Sequence, residues 1–240
     1  MHSSNTLTPT SPRPAPAAGR RLPTRLAALV IGLILYGVAI ALMVVGGVGV
    51  PPWDVLTQGI SLRTGLPFGL VTNLIGVVVL LLWIPLRQKP GIGTILNVLV
   101  VGTAAQAALL VLPTVEGLWL RILCFVAGLL LLAVASGLYI SPQLGPGPRD
   151  GLMTGLNQRL GVPIWVARTT VEVLVVAMGW LLGGNVGVGT LIFAITIGPL
   201  CQRTLPWFAA RVPGKPSRNT RPTPPGEVAL SGDAAAPGDR

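Results

Sequence analysis

Apolar residues fill this chain in long unbroken blocks rather than in the narrow stripes of water-soluble helices. Residues 26–45, 66–86 and 92–112 each run without a single charge. Crossing ~30 Å of hydrocarbon takes about 20 helical residues at ~1.5 Å each. The pattern therefore predicts six membrane-spanning helices, over 26–45, 66–86, 92–112, 120–140, 162–182 and 188–208. After the first and fourth of these comes a shorter, more polar stretch, from Asp54 to Gly65 and from Asp150 to Gly161. Each reads as a helix of ~17 Å, too short to span.

The two short stretches are copies of one another. At an offset of 96 residues, Gly49 meets Gly145, Pro52 meets Pro148, Asp54 meets Asp150, Leu56 meets Leu152 and Gly59 meets Gly155. The register continues without a gap through Arg63/Arg159, Gly65/Gly161, Pro67/Pro163 and the segments Gly91–Thr94 and Gly187–Thr190. Apolar bias cannot produce matched prolines, arginines and aspartates. Each copy contains three spans, an odd number, so the second must enter the membrane upside down relative to the first. The predicted fold is an all-α polytopic membrane protein, a 3+3 inverted-topology repeat with a short amphipathic or re-entrant helix after spans one and four. Such repeats, related by an axis in the membrane plane, are the plan of many secondary transporters.

Composition agrees and fixes an orientation. Only 10% of the 240 residues are charged, against roughly 25% in soluble domains. The net charge of +10 would suggest nucleic acid in a soluble protein, but the basic residues sit in loops and tails. With the N-terminus in the cytoplasm, fourteen arginines and lysines fall inside, Arg87, Lys89, Arg149 and Arg159 among them, and only Arg63 and Arg121 fall outside. That asymmetry predicts cytoplasmic termini in a bacterial inner membrane. Residues 1–24 and 209–240 read as cytoplasmic tails, disordered where rich in proline, serine and threonine. Between them lie a first repeat, 25–112, and a linker with the second repeat, 113–208. Span one is expected to be retained rather than cleaved as a signal peptide, because its apolar run is too long.

The tandem Gly-x-x-Pro-x-Asp-x-Leu segments, each followed by Gly-x-Pro leading into a span and later by Gly-x-Gly-Thr, resemble those of the bacterial YczE/YyaS/YitT family of six-span membrane proteins. The resemblance covers roughly residues 25–205 and implies the six-span architecture. It brings no substrate or catalytic residue with it. A serine is expected before the first proline of such segments, whereas this chain carries Pro51 and Gly147 there.

Candidate chemistry is sparse. Asp54 and Asp150 stand where an N-cap would accept from free backbone N–H groups. On a helix beginning there, Asp54, Thr57, Gln58 and Ser61 share one face, as do Asp150, Met153, Thr154 and Asn157. Two geometries are open for these helices. Either they lie along opposite membrane surfaces, which the polar faces and Arg63 and Arg159 favour, or residues 46–52 and 142–148 run inward and the helix N-termini meet near the midplane. Span five holds Arg168 and Glu172 at i and i+4, where they can pair. Charge at membrane depth is costly and points to function. Their counterparts in the first copy are Thr72 and Gly76. Asn73, Asn97 and Gln106 can bond between helices or meet a solute. The glycines of Gly-x-Gly-Thr make a tight turn with threonine as cap, or expose N–H groups to an anion.

Enzyme classes find no support. The sole histidine is His2, so a His-dependent triad or metal site has nothing to build on, and no cofactor or metal is expected. Cys124 and Cys201 read as small packing residues. The lipid bilayer is the expected partner, and nucleic acid is not expected. Small-solute or ion transport through a site between the repeats is the favoured function, with Asp54, Asp150, Arg168, Glu172, Asn73, Asn97 and Gln106 as candidates for the path. The alternative is a non-transporting membrane protein that regulates or scaffolds another system through its tails.

Overall fold

A computed structural model describes residues 21–212. The disorder expected of the tails concerns residues that lie, apart from 21–24 and 209–212, outside that range. Within it are eight helices and no strand: α1 (Arg21–Gly46), α2 (Pro52–Thr64), α3 (Phe68–Leu86), α4 (Ile92–Val111), α5 (Leu118–Ile140), α6 (Pro148–Leu160), α7 (Ile164–Leu181) and α8 (Val188–Ala209). Six of them, all but α2 and α6, are long and apolar enough to cross a membrane. The one sizeable shift from expectation is at α1, whose helix starts at Arg21 inside the expected tail. Pro23 lies within its first turn, where the missing N–H costs nothing.

α1 and α5 pack antiparallel along their length. α4 lies beside α1, α8 beside α5, and α3 beside α4. The α1–α5 seam depends on small residues: a Cβ at Gly32 would lie 2.7 Å from the backbone nitrogen of Tyr139, and one at Gly128 would lie 2.7 Å from the carbonyl of Ala39. Lipid is as apolar as leucine, so helices in a bilayer associate through such close packing rather than through hydrophobic burial. Leu29, Leu33, Ile40, Met43, Leu129 and Leu132 fill the seam. Leu70, Leu74, Leu81, Ile95, Leu99 and Leu191 stay exposed on the outer faces, as lipid contact requires.

The short helices cross over between the two halves of the chain. α2 packs on α7 and α6 on α3. Each begins at a proline in its first position, Pro52 or Pro148, and stops at a glycine in the left-handed region, Gly65 (φ 72°) or Gly161 (φ 68°). Only glycine adopts that conformation without cost, and it turns the chain directly into the next span. Ser61 Oγ donates to the carbonyl of Leu66 and Asn157 Nδ2 to that of Val162, at 2.7 and 2.9 Å. Two positions 96 residues apart thus perform the same closure with different side chains.

Candidate functional site

Between α1 and α2, and again between α5 and α6, the backbone leaves helical geometry; the first segment is buried or half-buried, and the second is exposed at Gln143 and Pro146. Unpaired peptide groups at membrane depth are tolerated only where the protein itself satisfies them. Here arginine and the Gly-x-Gly-Thr segments do so. Arg121 donates from Nε to the carbonyl of Gly46 at 2.9 Å and from Nη2 to Gly47 at 3.2 Å. Arg25 donates twice to the carbonyl of Pro142, at 3.0 and 2.6 Å. The N–H of Gly189 reaches the carbonyl of Val48 at 3.1 Å, and that of Gly93 reaches Leu144 at 2.9 Å. The N–H of Val50 donates to Thr190 Oγ1 at 3.2 Å, and Thr94 Oγ1 donates to the carbonyl of Pro146 at 2.7 Å. Gly49 (φ 145°) and Gly145 (φ 134°) admit this approach, since a Cβ at Gly49 would lie 2.5 Å from the nitrogen of Thr190.

The threonines were expected as caps; the N-cap residues are Gly91 and Gly187 instead, and each threonine, third in its helix, bonds back to its cap. Thr94 Oγ1 accepts from the N–H of Gly91 at 3.2 Å, and Thr190 Oγ1 from Gly187 at 3.4 Å. Thr94→Val removes both a cap acceptor and the donor to Pro146. Its expected cost is about 1–2 kcal/mol, the range for a buried hydrogen bond with its partner left unsatisfied. Thermal unfolding of the purified variant in detergent measures it, and an unchanged midpoint contradicts the assigned role.

Held in this way, the N-termini of α2 and α6 meet. Arg149 Nη2 is 3.9 Å from Asp54 Oδ1, and its guanidinium lies over the Trp53 ring, 5.0 Å from the centroid. Helices on opposite membrane surfaces could not make this contact across a ~30 Å core, so the interfacial placement favoured by the sequence is corrected. The polar face of α2 meets protein rather than water: Gln58 Oε1 accepts from the N–H of Asn185 at 3.0 Å, and Asn185 Nδ2 donates to Gly47 at 3.1 Å. The aspartates are not N-caps either. Pro51 and Gly147 occupy that position without side-chain hydrogen bonds. Proline is preorganised for the first helical position, so each helix starts two residues earlier and its aspartate falls in the third.

Where the N-termini converge there is a cavity of about 470 Å³ to which all eight helices contribute. Of the sequence candidates, Asp150, Arg168, Glu172 and Asn97 line it. Arg168 Nε and Glu172 Oε1 pair at 3.0 Å. Asp54 stands behind Arg149, 1% exposed, and neither of its oxygens accepts a hydrogen bond. Burial pushes its carboxyl up to about 6, and Arg149 pulls it back. Asn73 and Gln106 lie elsewhere and tie α3 to α4. Asn73 Nδ2 donates to Thr103 Oγ1 at 3.2 Å, and Gln106 Oε1 accepts from the N–H of Gly69 at 3.0 Å.

Sequence reasoning missed Arg149, which it counted among inner-loop charges, and the aromatic walls. Tyr36 and Tyr139 line the cavity, packed edge to face at 5.8 Å. Trp83 Nε1 donates to the carbonyl of Pro148 at 3.0 Å, which fixes the start of α6. A signal existed for Arg149: it replaces Trp53 at the corresponding place of the repeat, next to the conserved spacing of Pro and Asp in both copies. Among the described residues, no three His, Cys, Asp or Glu side chains gather as a metal site needs.

A family model described as a family of unknown function, DUF6198, matches residues 23–205. The chain is 39% identical over 188 residues to an uncharacterized protein of Haemophilus influenzae, covering 78% of this chain and 86% of that one. It is 29% identical over 177 residues to the uncharacterized membrane protein YczE of Bacillus subtilis, covering 73% and 82%. The uncharacterized protein YyaS of the same organism is 27% identical over 180 residues, covering 73% and 90%. No solved structure matches the chain.

Proposed function

The chain belongs to the DUF6198 family of unknown function, whose relatives include YczE-like membrane proteins, and from that premise we propose that it is a small-solute or ion transporter. The observation that carries the reading is the meeting of two non-spanning helix N-termini in a cavity of about 470 Å³. Transporters with broken helices build their solute sites in this way near the bilayer midplane. The volume falls within the ~300–1,000 Å³ range of small-molecule pockets.

The two halves are read as inverted repeats. Three candidate spans per half and the matched contacts of Arg25 with Arg121, Gly93 with Gly189 and α2–α7 with α6–α3 support that relation. A site shared by two such halves can face either side of the membrane in turn. The basic asymmetry supports an inner-membrane location with both termini cytoplasmic. A reporter fused after residue 212 is then expected to work only as a cytoplasmic marker. Periplasmic activity there removes the topology and the inverted relation together.

Transport itself is tested with purified protein in proteoliposomes, challenged with a panel of small ions and metabolites. Solute-dependent flux above the rate of empty vesicles is expected. In the Glu172→Gln chain it should fall about tenfold or more, because an unpaired Arg168 would remain on the cavity wall. Flux no greater than that of empty vesicles for every solute rejects the transport reading.

A further inference from the structure

We propose that the cavity binds organic cations, a guanidinium or a small ammonium group, in the place that the Arg149 guanidinium takes in this structure. The proposal rests on the reading of the cavity as the solute site and names the chemistry of the solute.

Arg149 sits as a bound cation would. It has the face of Trp53 beneath it at 5.0 Å, within the ~6 Å over which an aromatic quadrupole attracts positive charge. The Asp54 carboxylate lies beside it at 3.9 Å. A charge-assisted hydrogen bond would be about 2.8 Å, so the pair is held without being closed. Neither oxygen of the buried Asp54 has a hydrogen-bond partner. Arg149 is 27% exposed on the cavity wall, and no hydrogen bond to another described residue holds it. A built-in ion pair would use its five donors on a carboxylate with two free oxygens. What the structure holds is a carboxylate and an aromatic face made for a cation and covered by a loosely seated one.

Formal charge separates cation from anion. Arg168 and Glu172 neutralise each other at 3.0 Å. With Asp54 and Asp150 against Arg149, the five charged groups around the cavity leave one formal negative charge in excess. A solute with one positive charge balances it, and an anion would deepen the imbalance. Tyr36 and Tyr139 add aromatic surface on the same cavity, the setting in which ammonium and guanidinium groups are recognised. When a solute takes the Trp53 face, Asp150 offers the displaced guanidinium a second counter-charge.

The full chain in lipid nanodiscs is titrated with methylguanidinium and with tetramethylammonium chloride, against sodium chloride and sodium benzoate at equal ionic strength. Tryptophan fluorescence and the unfolding midpoint report binding. Both organic cations are expected to raise the midpoint and perturb the fluorescence, and sodium and benzoate are not. Asp54→Asn should weaken binding about tenfold or more, a loss in proportion to one desolvated charge contact. Arg149→Ala should bind methylguanidinium about tenfold more tightly, because the internal competitor is gone. The Asp54→Asn chain keeps Arg149, so its result stands even if Arg149→Ala does not fold. Equal binding by wild type and Asp54→Asn overturns the proposal. So does stabilisation by benzoate alone, or no cation binding up to about 10 mM. Cation binding without flux would remove the transport reading and leave this one. Flux of a neutral or anionic solute without cation binding would do the reverse.

Discussion

Gly179→Leu is expected to destabilise the protein by about 3 kcal/mol, the upper part of the range for overpacking a filled interior. α7 lies backbone to backbone on α2 at this point. A Cβ at Gly179 would stand 2.5 Å from the nitrogen of Leu56 and from the carbonyl carbon of Val55. Both are main-chain atoms, so no rotamer change relieves the contact, and α7 must move off α2. That separation also loosens the wall of the cavity beside Trp53. Gly198→Ala is the matched control, because a Cβ there meets nothing within 4 Å. Unfolding midpoints in detergent decide: the leucine chain should unfold well below wild type and the alanine control close to it. Equal midpoints for all three would mean that α2 and α7 are not packed as described.

The second large effect concerns the buried carboxylate. Arg149→Leu leaves Asp54 at 1% exposure with no cation nearby. Arg149 is itself 27% exposed, so its removal should cost about 2–3 kcal/mol, less than the ~3–5 kcal/mol of a fully buried pair, because a desolvated charge is left behind. Replacing both partners, Asp54→Leu with Arg149→Leu, should recover most of that loss, since no stranded charge remains. The two changes are thus strongly non-additive, as directly interacting residues are. The sign of the pH dependence follows. Protonated Asp54 needs no counter-ion, so the Arg149→Leu deficit is largest at alkaline pH and shrinks on acidification. The double variant has no carboxyl at this place and should show no such trend. A deficit independent of pH, or a double variant as unstable as the single, rejects the pairing.

The long elements were legible because they follow from one constraint, the thickness of hydrocarbon. Residues 92–112 and 188–208 were expected as spans, and Ile92–Val111 and Val188–Ala209 are helical. The placement of α2 and α6 was not legible, for a specific reason. Polar residues three and four apart identify a helix face but not what that face meets. Thr57 and Gln58 would suit water equally well. Thr57 turns its hydroxyl back onto the carbonyl of Trp53, and Gln58 is engaged by Asn185 on the loop after α7, a partner 127 residues away that no local pattern announces. Arg149 was misplaced by the logic that served elsewhere. Counting positive charge by loop treats every loop arginine alike, whereas this one is drawn inside by Asp54 and Trp53. Asn73 and Gln106 look as functional as Asn97 in the sequence, and only the α3–α4 packing shows the bonds they make between helices.

The seats of the short helices differ in which partner supplies the bulk. On α3, the indole of Trp83 is accommodated because α6 offers Gly151, where a Cβ would overlap the ring. On α7, the corresponding residue is Gly179, set against Val55 and Leu56 of α2. Bulk and hollow have changed places between the two seats. A first half paired with a second copy of itself would press Trp83 onto Val55, and a second half paired with itself would leave Gly179 opposite Gly151 with a gap between. The two halves are therefore not interchangeable at these seats, and a split protein is expected to regain its fold only when both different pieces are made in the same cell.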